Sequence, residues 1–96
     1  MKARLLVQTK EIRDDGTIVE IVIWLVPRPI PPCSHGFKYS LFYGRLGTRL
    51  VGYDNERGKG DHLHRNGNEE PYAFSTPEQL LEDFAADMAA MERSGS

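Results

Sequence analysis

Apolar residues recur in short strand-like runs, and the first two of these runs form a recognisable pair. Residues 3–12 (ARLLVQTKEI) and 17–26 (TIVEIVIWLV) are rich in β-branched and apolar side chains and flank the segment RDDG. Asp-Gly between two such runs predicts a hairpin, because Gly16 can take the positive φ of a tight turn. The second run is apolar at both alternating positions, which predicts a central strand covered on both faces.

Two further strand-like runs follow a proline-rich segment. Residues 27–32 hold four prolines in six positions, which favours a stiff extended connector rather than a strand. Beyond it, residues 37–43 (FKYSLFY) and 49–53 (RLVGY) are joined by GRLGT and predict a second hairpin.

The last part of the chain predicts an amphipathic helix. Thr76 is a suitable N-cap, Pro77 suits the first helical position, and Gln79 completes a capping box. The apolar side chains then recur at helical spacing, which predicts packing on a core: Leu80, Leu81, Phe84, Met88 and Met91. The closing Ser-Gly-Ser is expected to fray.

These elements predict a single α+β domain over residues 1–96. The expected architecture is a four-stranded, mostly antiparallel β-sheet with a C-terminal α-helix packed on one face. Residues 54–72 show no periodicity and are expected to form a long loop, in which residues 61–65 (DHLHR) can add a short edge strand. Loops of that length in compact domains are usually functional.

Composition narrows the class of protein. The longest apolar run, residues 21–26, is far too short to cross a bilayer, and the N-terminus lacks the pattern of a secretory signal. The one cysteine cannot form an internal disulfide, which fits a reducing compartment. We therefore expect a cytoplasmic protein with no membrane contact.

Charge is distributed unevenly. Residues 37–66 carry six Lys/Arg against three Asp/Glu, whereas residues 67–96 carry one against seven. A basic region of this kind suits an anion such as phosphate, while the acidic block fits the solvated face of the helix.

The densest chemistry lies in residues 53–64 (YDNERGKGDHLH). Metal-independent RNA cleavage needs a base, an acid and cations that stabilise the phosphorane. His62 and His64 can exchange protons near neutral pH, and Arg57 and Lys59 can hold phosphate oxygens. If the segment is extended, the two histidines point to the same side.

Two other interpretations of this segment remain open. Metal-ligand types occur at Asp54, Asp61, His62 and His64, and Cys33 with His35 adds a second pair, but neither spacing is a known zinc pattern. A plain turn with paired charges and exposed histidines explains the same residues without any function.

Several motifs resemble the TumE family of small bacterial toxins. They are HGFKYSLFY, VGYDNERGKGDHLH, EEPYAF and TPEQLLEDFAADM, supported by EIVIWLVP near the start. The resemblance implies the toxin of a toxin–antitoxin pair that slows growth, is neutralised by a cognate antitoxin protein and often serves plasmid maintenance. By analogy with other small toxins, its target is expected to be RNA. Leu63 stands where many members have a basic residue between the histidines.

The resulting hypothesis is a metal-independent endoribonuclease without cofactor or metal, and a non-catalytic binding module is the rival. The catalytic residues are predicted to be His62 and His64 as acid and base, Lys59 and Arg57 as cations, and Asp61 as the residue that orients a histidine. The motif positions assigned to substrate binding are Tyr53, Asp54, Asn55, Gly58 and Gly60. A homodimer is a further candidate assembly.

Overall fold

A computed structural model describes residues 2–94 as one antiparallel sheet and one helix. The strands pair in chain order, each with the next, so the sheet is a meander. The elements are β1 (Arg4–Ile12), β2 (Ile18–Leu25), β3 (Phe37–Arg45), β4 (Thr48–Glu56), β5 (Gly60–Arg65), β6 (Asn68–Pro71) and α1 (Pro77–Ser94). The α+β class and the C-terminal helix are confirmed.

The predicted number of strands is wrong, because the sheet has six strands rather than four. The two extra strands lie in the segment that was expected to be a loop, and both are short and rich in polar residues. Residues 61–65, which were allowed as a short edge strand, do form most of β5, but β6 pairs with it and is itself the edge. Their turn does carry a signal. Asn66 and Gly67 both have positive φ, of 50° and 83°, and Asn-Gly is a strong hairpin dipeptide.

The two predicted hairpins are confirmed. Gly16 has a φ of 88° in the β1–β2 turn, and Gly47 has a φ of 82° in the β3–β4 turn. The proline-rich connector forms no strand, as predicted, and its base is closed by a hydrogen bond in which Val26 N–H donates to Gly36 O at 2.9 Å.

The helix begins as predicted. The Thr76 hydroxyl accepts a hydrogen bond from Gln79 N–H at 3.0 Å, while the Gln79 side chain donates to Asp83 instead of returning to Thr76. Ser94 still belongs to the helix, and the rest of the expected frayed end, residues 95–96, lies outside the described residues.

The core lies between α1 and one face of the sheet. Leu80 and Phe84 of the helix are buried against side chains of the middle strands, namely Val19, Ile23, Tyr39, Leu41, Tyr43, Val51, Tyr53 and Leu63. The other sheet face has no helix over it among the described residues, and we call it the open face. Trp24 lies there and is 36% exposed, so the prediction that β2 is covered on both faces is wrong.

No helix within residues 2–94 has the length and apolar character that a membrane crossing requires.

We predict that Leu80→Ala lowers the free energy of unfolding by about 2–5 kcal/mol, because it leaves a cavity between helix and sheet. Chemical denaturation followed by circular dichroism measures the change. Leu46→Ala is the matched control, since Leu46 is 93% exposed and its loss changes stability by no more than about 0.5 kcal/mol. Equal stability of the two variants contradicts the described packing.

Candidate functional site

Strand alternation in the β4–β5 hairpin separates the motif residues into two groups. Asp54 pairs with His62 and Gly52 with His64, while Tyr53 pairs with Leu63. Successive side chains of a strand point to opposite faces. The histidines and Asp54 therefore share the open face, as the extended-segment prediction required, and the tyrosine lies beneath the helix.

The three open-face side chains form a compact cluster. His62 Nε2 lies 2.6 Å from Asp54 Oδ1, and His64 Nε2 lies 3.9 Å from the same oxygen. The two rings are 5.1 Å apart at their centroids, with planes at 75°. The side chains of His62, His64 and Asp54 are 5%, 12% and 22% exposed, so the cluster is set into the sheet surface.

The contacts of His62 define its protons. Its Nδ1 lies 3.1 Å from Gly60 O, which can only accept, so Nδ1 carries a proton. Its Nε2 faces the Asp54 carboxylate, which also accepts hydrogen bonds when ionised. Without a proton on Nε2, two acceptors would be in contact, so a second ring proton on Nε2 relieves the repulsion. The pair lacks the alignment of a hydrogen bond, and within residues 2–94 neither Asp54 Oδ1 nor His62 Nε2 has a hydrogen-bond partner. The arrangement therefore fits an imidazolium paired with a carboxylate mainly by charge.

His64 has the opposite character. Its Nδ1 lies 2.9 Å from Arg49 Nη2, and a guanidinium can only donate, so Nδ1 is an unprotonated acceptor. The proton of neutral His64 is then on Nε2, which faces Asp54 and, at 3.6 Å, Glu69. Burial and, after it, the charge of Arg49 lower the pKa of His64, so both factors favour the neutral ring.

Gly52 gives Arg49 its path to His64. A Cβ at position 52 would lie 2.6 Å from Arg49 Cδ, so the arginine side chain crosses directly over the glycine. Neither residue was among the predicted site residues. The available signal was a glycine inside a strand, which often marks close approach of another group.

Of the two predicted cations, Lys59 is linked to the cluster through Glu69. Lys59 Nζ is 3.1 Å from Glu69 Oε1, and the other Glu69 oxygen faces His64, so the glutamate links lysine and histidine. Arg57 is exposed in the β4–β5 turn. Gly58 and Gly60 shape this turn with φ of 87° and 81°.

The connector packs against the same turn from outside the sheet. Gly58 N–H donates to Pro31 O at 2.9 Å, and a Cβ at Gly60 would lie 3.2 Å from Pro32 Cγ. Gly58 thus bonds to the connector through its backbone, and Gly60 leaves room for Pro32 while its carbonyl contacts His62.

Asp61 lies on the helix side of the sheet, away from His62 and His64. Its carboxylate accepts from the hydroxyl of Tyr39 at 2.6 Å, from Cys33 Sγ at 3.3 Å, and pairs with His35 Nε2 at 2.8 Å. The histidine that Asp61 orients is therefore His35. Burial and then the Asp61 carboxylate raise the pKa of the Cys33 thiol, which makes it a poor nucleophile.

Tyr53 and Asn55 are buried in the core region. Tyr53 packs edge-on to Phe84 and its hydroxyl donates to Asp87 on the helix. The Asn55 amide accepts from Tyr39 N–H at 3.0 Å and donates to Phe37 O at 2.8 Å, so it extends the pairing of β3 with β4. These contacts give both residues a structural role.

Within residues 2–94, two groups bring metal-ligand atoms within 4.8 Å of one another: Cys33, His35 and Asp61, and Asp54, His62 and His64. In the first group the Asp61 oxygens already accept hydrogen bonds from protein donors. In the second group His64 Nε2 carries a proton while Arg49 donates to Nδ1, which leaves two ligands rather than three.

Comparison of the sequence with known protein families finds one match. A family model described as Toxin TumE matches residues 2–92 of the 96-residue chain. No curated protein and no solved structure matches the chain.

We predict that Arg49→Leu raises the pKa of His64, because the substitution removes both the donor to Nδ1 and the nearby positive charge. Titration of the histidine ring protons by NMR measures the change. Gly52→Ala should act in the same direction by displacing Arg49, and Arg57→Leu, which removes an exposed arginine of the turn, is the control. An unchanged His64 titration in Arg49→Leu contradicts the contact.

Proposed function

The chain belongs to the TumE family of toxins, and we propose that it is the toxin of a toxin–antitoxin pair that acts on RNA as a metal-independent endoribonuclease. The observation that carries the enzymatic part is the pair of neighbouring histidines whose ring nitrogens face unlike partners. His62 fits an imidazolium beside a carboxylate, and His64 fits a neutral ring held by Arg49. Cleavage by the ribose 2′-hydroxyl needs one acid and one base side by side.

In the proposed reaction Arg49 responds to the substrate. A phosphate group attracts the guanidinium more strongly than a neutral imidazole does, because it offers a charged two-pronged contact. When Arg49 turns to the phosphate, His64 Nδ1 is released with its lone pair. That nitrogen then takes the proton of the 2′-hydroxyl as the oxygen attacks phosphorus.

His62 supplies the acid in this proposal. It gives a proton to the 5′-oxygen as the phosphorus–oxygen bond breaks, which leaves a cyclic phosphate and a free hydroxyl. Its side chain is only 5% exposed, so the partly exposed Asp54 has to turn aside for the substrate to reach Nε2. Asp54 stabilises the charged imidazolium until then.

Cations complete the proposed site. Arg49 and the half-exposed Lys59 stabilise the charge on the phosphorane, and Arg57 holds a neighbouring phosphate from the turn. In the free protein Glu69 forms an ion pair with Lys59, so the glutamate competes with phosphate for the lysine ammonium. Asp61 supports the site indirectly, through the connector that braces the hairpin.

The biological setting belongs to the same proposal and rests on the family. It comprises a cognate antitoxin protein that neutralises the toxin, a cytoplasmic location and a contribution to plasmid maintenance. A homodimer is included because edge strand β1 has an unpaired side and carries the exposed residues Leu5 and Leu6.

A divalent-metal site is the second candidate. The supporting observation is that Asp54 Oδ1 and His62 Nε2 are both buried without an aligned hydrogen bond. A cation between them would satisfy both atoms, and His64 would join only after Arg49 had moved away. Elemental analysis of the purified protein distinguishes the candidates: stoichiometric zinc or another divalent metal, together with activity that is lost in EDTA, favours the metal site.

We predict that His62→Ala and His64→Ala each reduce RNA cleavage by about 100- to 10,000-fold, the usual contribution of a general acid or base. Cleavage of total cellular RNA by the purified variants in EDTA measures the loss, and growth after induced expression provides a second readout. Leu46→Ala is the control, since Leu46 lies in the β3–β4 turn and is 93% exposed. Circular dichroism confirms that each variant is folded.

Two results contradict the proposal in different ways. Full cleavage by both His62→Ala and His64→Ala removes the catalytic assignment. A wild-type protein that binds RNA or its antitoxin but leaves all RNA intact favours the non-catalytic binding module.

A further inference from the structure

We propose that a depression on the open face, beside the histidine cluster, is a subsite for one base of single-stranded RNA. The inference rests on the proposed function and deepens it by naming the form of the substrate. The depression has a volume of about 140 Å³ and is lined by Val22, Trp24, Lys38, Tyr39 and Ser40. We call it the base subsite.

The side chains that line the base subsite suit an aromatic ligand. Val22 and Trp24 are alternate residues of β2, so both side chains stand on the open face. Trp24 is 36% exposed and presents its indole to solvent. Base–aromatic stacking requires an accessible ring of this kind and tolerates any base, because every base has a π-face.

A cation borders the subsite on the side of the histidines. Lys38 pairs with Trp24 across β2 and β3, and its ammonium donates to the backbone oxygen of Asn55 on β4. No carboxylate lies within ion-pair distance of Lys38 in residues 2–94. Its charge is therefore available to the phosphate that follows a bound base.

Strand register places the subsite at a useful distance from the proposed reaction. Ser40 of the subsite pairs with Asp54, and Asp54 pairs with His62, so the three residues form one row across the sheet. Neighbouring strands are about 4.8 Å apart, which puts Ser40 about 10 Å from His62. A nucleotide chain that crosses the strands can set a base on Trp24 and a phosphate near the histidines.

The same geometry selects single-stranded RNA. The bases of a duplex are stacked on one another and paired, so their faces cannot reach an indole on a sheet. Single strands expose their bases, and β-sheets with surface aromatics are an established platform for them.

The chain provides its own probe, because Trp24 is its only tryptophan. We expect a single-stranded RNA decamer of mixed sequence to quench the tryptophan fluorescence of the His64→Ala protein in a saturable manner. An abasic decamer, which keeps the phosphates and lacks the bases, and the duplex form of the decamer should leave the fluorescence unchanged. Equal quenching by the abasic decamer, or no quenching by the intact one, overturns the base subsite.

Substitutions test the same inference by affinity. In the His64→Ala background, Trp24→Ala should weaken binding of the intact decamer by about 5- to 150-fold, the range that follows from losing one base stack, without affecting the abasic decamer. Lys38→Met should weaken binding of both decamers. It should also reduce the slope of the logarithm of the binding constant against the logarithm of the salt concentration by about one. Leu46→Ala is the matched control, and undiminished binding of the intact decamer by Trp24→Ala contradicts the proposal.

The outcomes separate this inference from the proposed function. RNA cleavage by the wild-type protein without any change in tryptophan fluorescence overturns the base subsite alone. Quenching that depends on bases, in a protein that cleaves no RNA, supports the subsite and contradicts the endoribonuclease.

Discussion

The antiparallel pairing of β4 with β5 is the constraint on which the rest of the candidate site depends. One register places Asp54 opposite His62 and, one position away, Asn55 opposite Asp61. Since alternate residues of a strand face opposite sides, a single segment supplies two distinct clusters. A register shift of one residue would exchange them and bury the histidines beneath the helix.

The helix-side cluster holds the hairpin in this register. Asp61 accepts from Tyr39 on β3 and pairs with His35 of the connector, so one carboxylate joins β5 to two other parts of the chain. Asn55 extends the link to the backbone of β3. Burying these polar groups is tolerable because each has a partner, and the loss of one would leave the others unsatisfied. The polar side chains on the helix side of the hairpin therefore stabilise the fold.

The open-face cluster follows a different rule, because its contacts set protonation more than stability. A carbonyl and a carboxylate face the two nitrogens of His62, and a guanidinium faces His64. The two imidazoles thus face unlike partners, and burial together with Arg49 lowers the pKa of His64. The site is electrically mixed, since Asp54 and Glu69 stand beside Arg49 and Lys59. Phosphate binding there depends on rearranging existing ion pairs rather than on a uniformly basic surface.

Local physics explains which elements the sequence by itself determined. The turns at Gly16 and Gly47 and the start of the helix at Thr76 follow from the backbone preferences of a few adjacent residues. The apolar stripe of the helix follows from its period. Strand alternation likewise predicts that His62 and His64 share a face. Residues 61–65 were allowed as a short edge strand, and they form most of β5, but β6 was missed because its residues are all polar or proline, although Asn66-Gly67 marks the turn.

Only the tertiary structure decided which residues each face of the β4–β5 hairpin contacts. The sequence places Asp61 beside His62, yet the pleat directs it to His35, which is 26 residues away. Arg49 reaches His64 because Gly52 leaves its path open, and no local pattern reveals a contact between separate strands. Such contacts depend on register and on the side that the helix covers. Both are set by long-range packing, so neighbouring residues in the sequence cannot determine them.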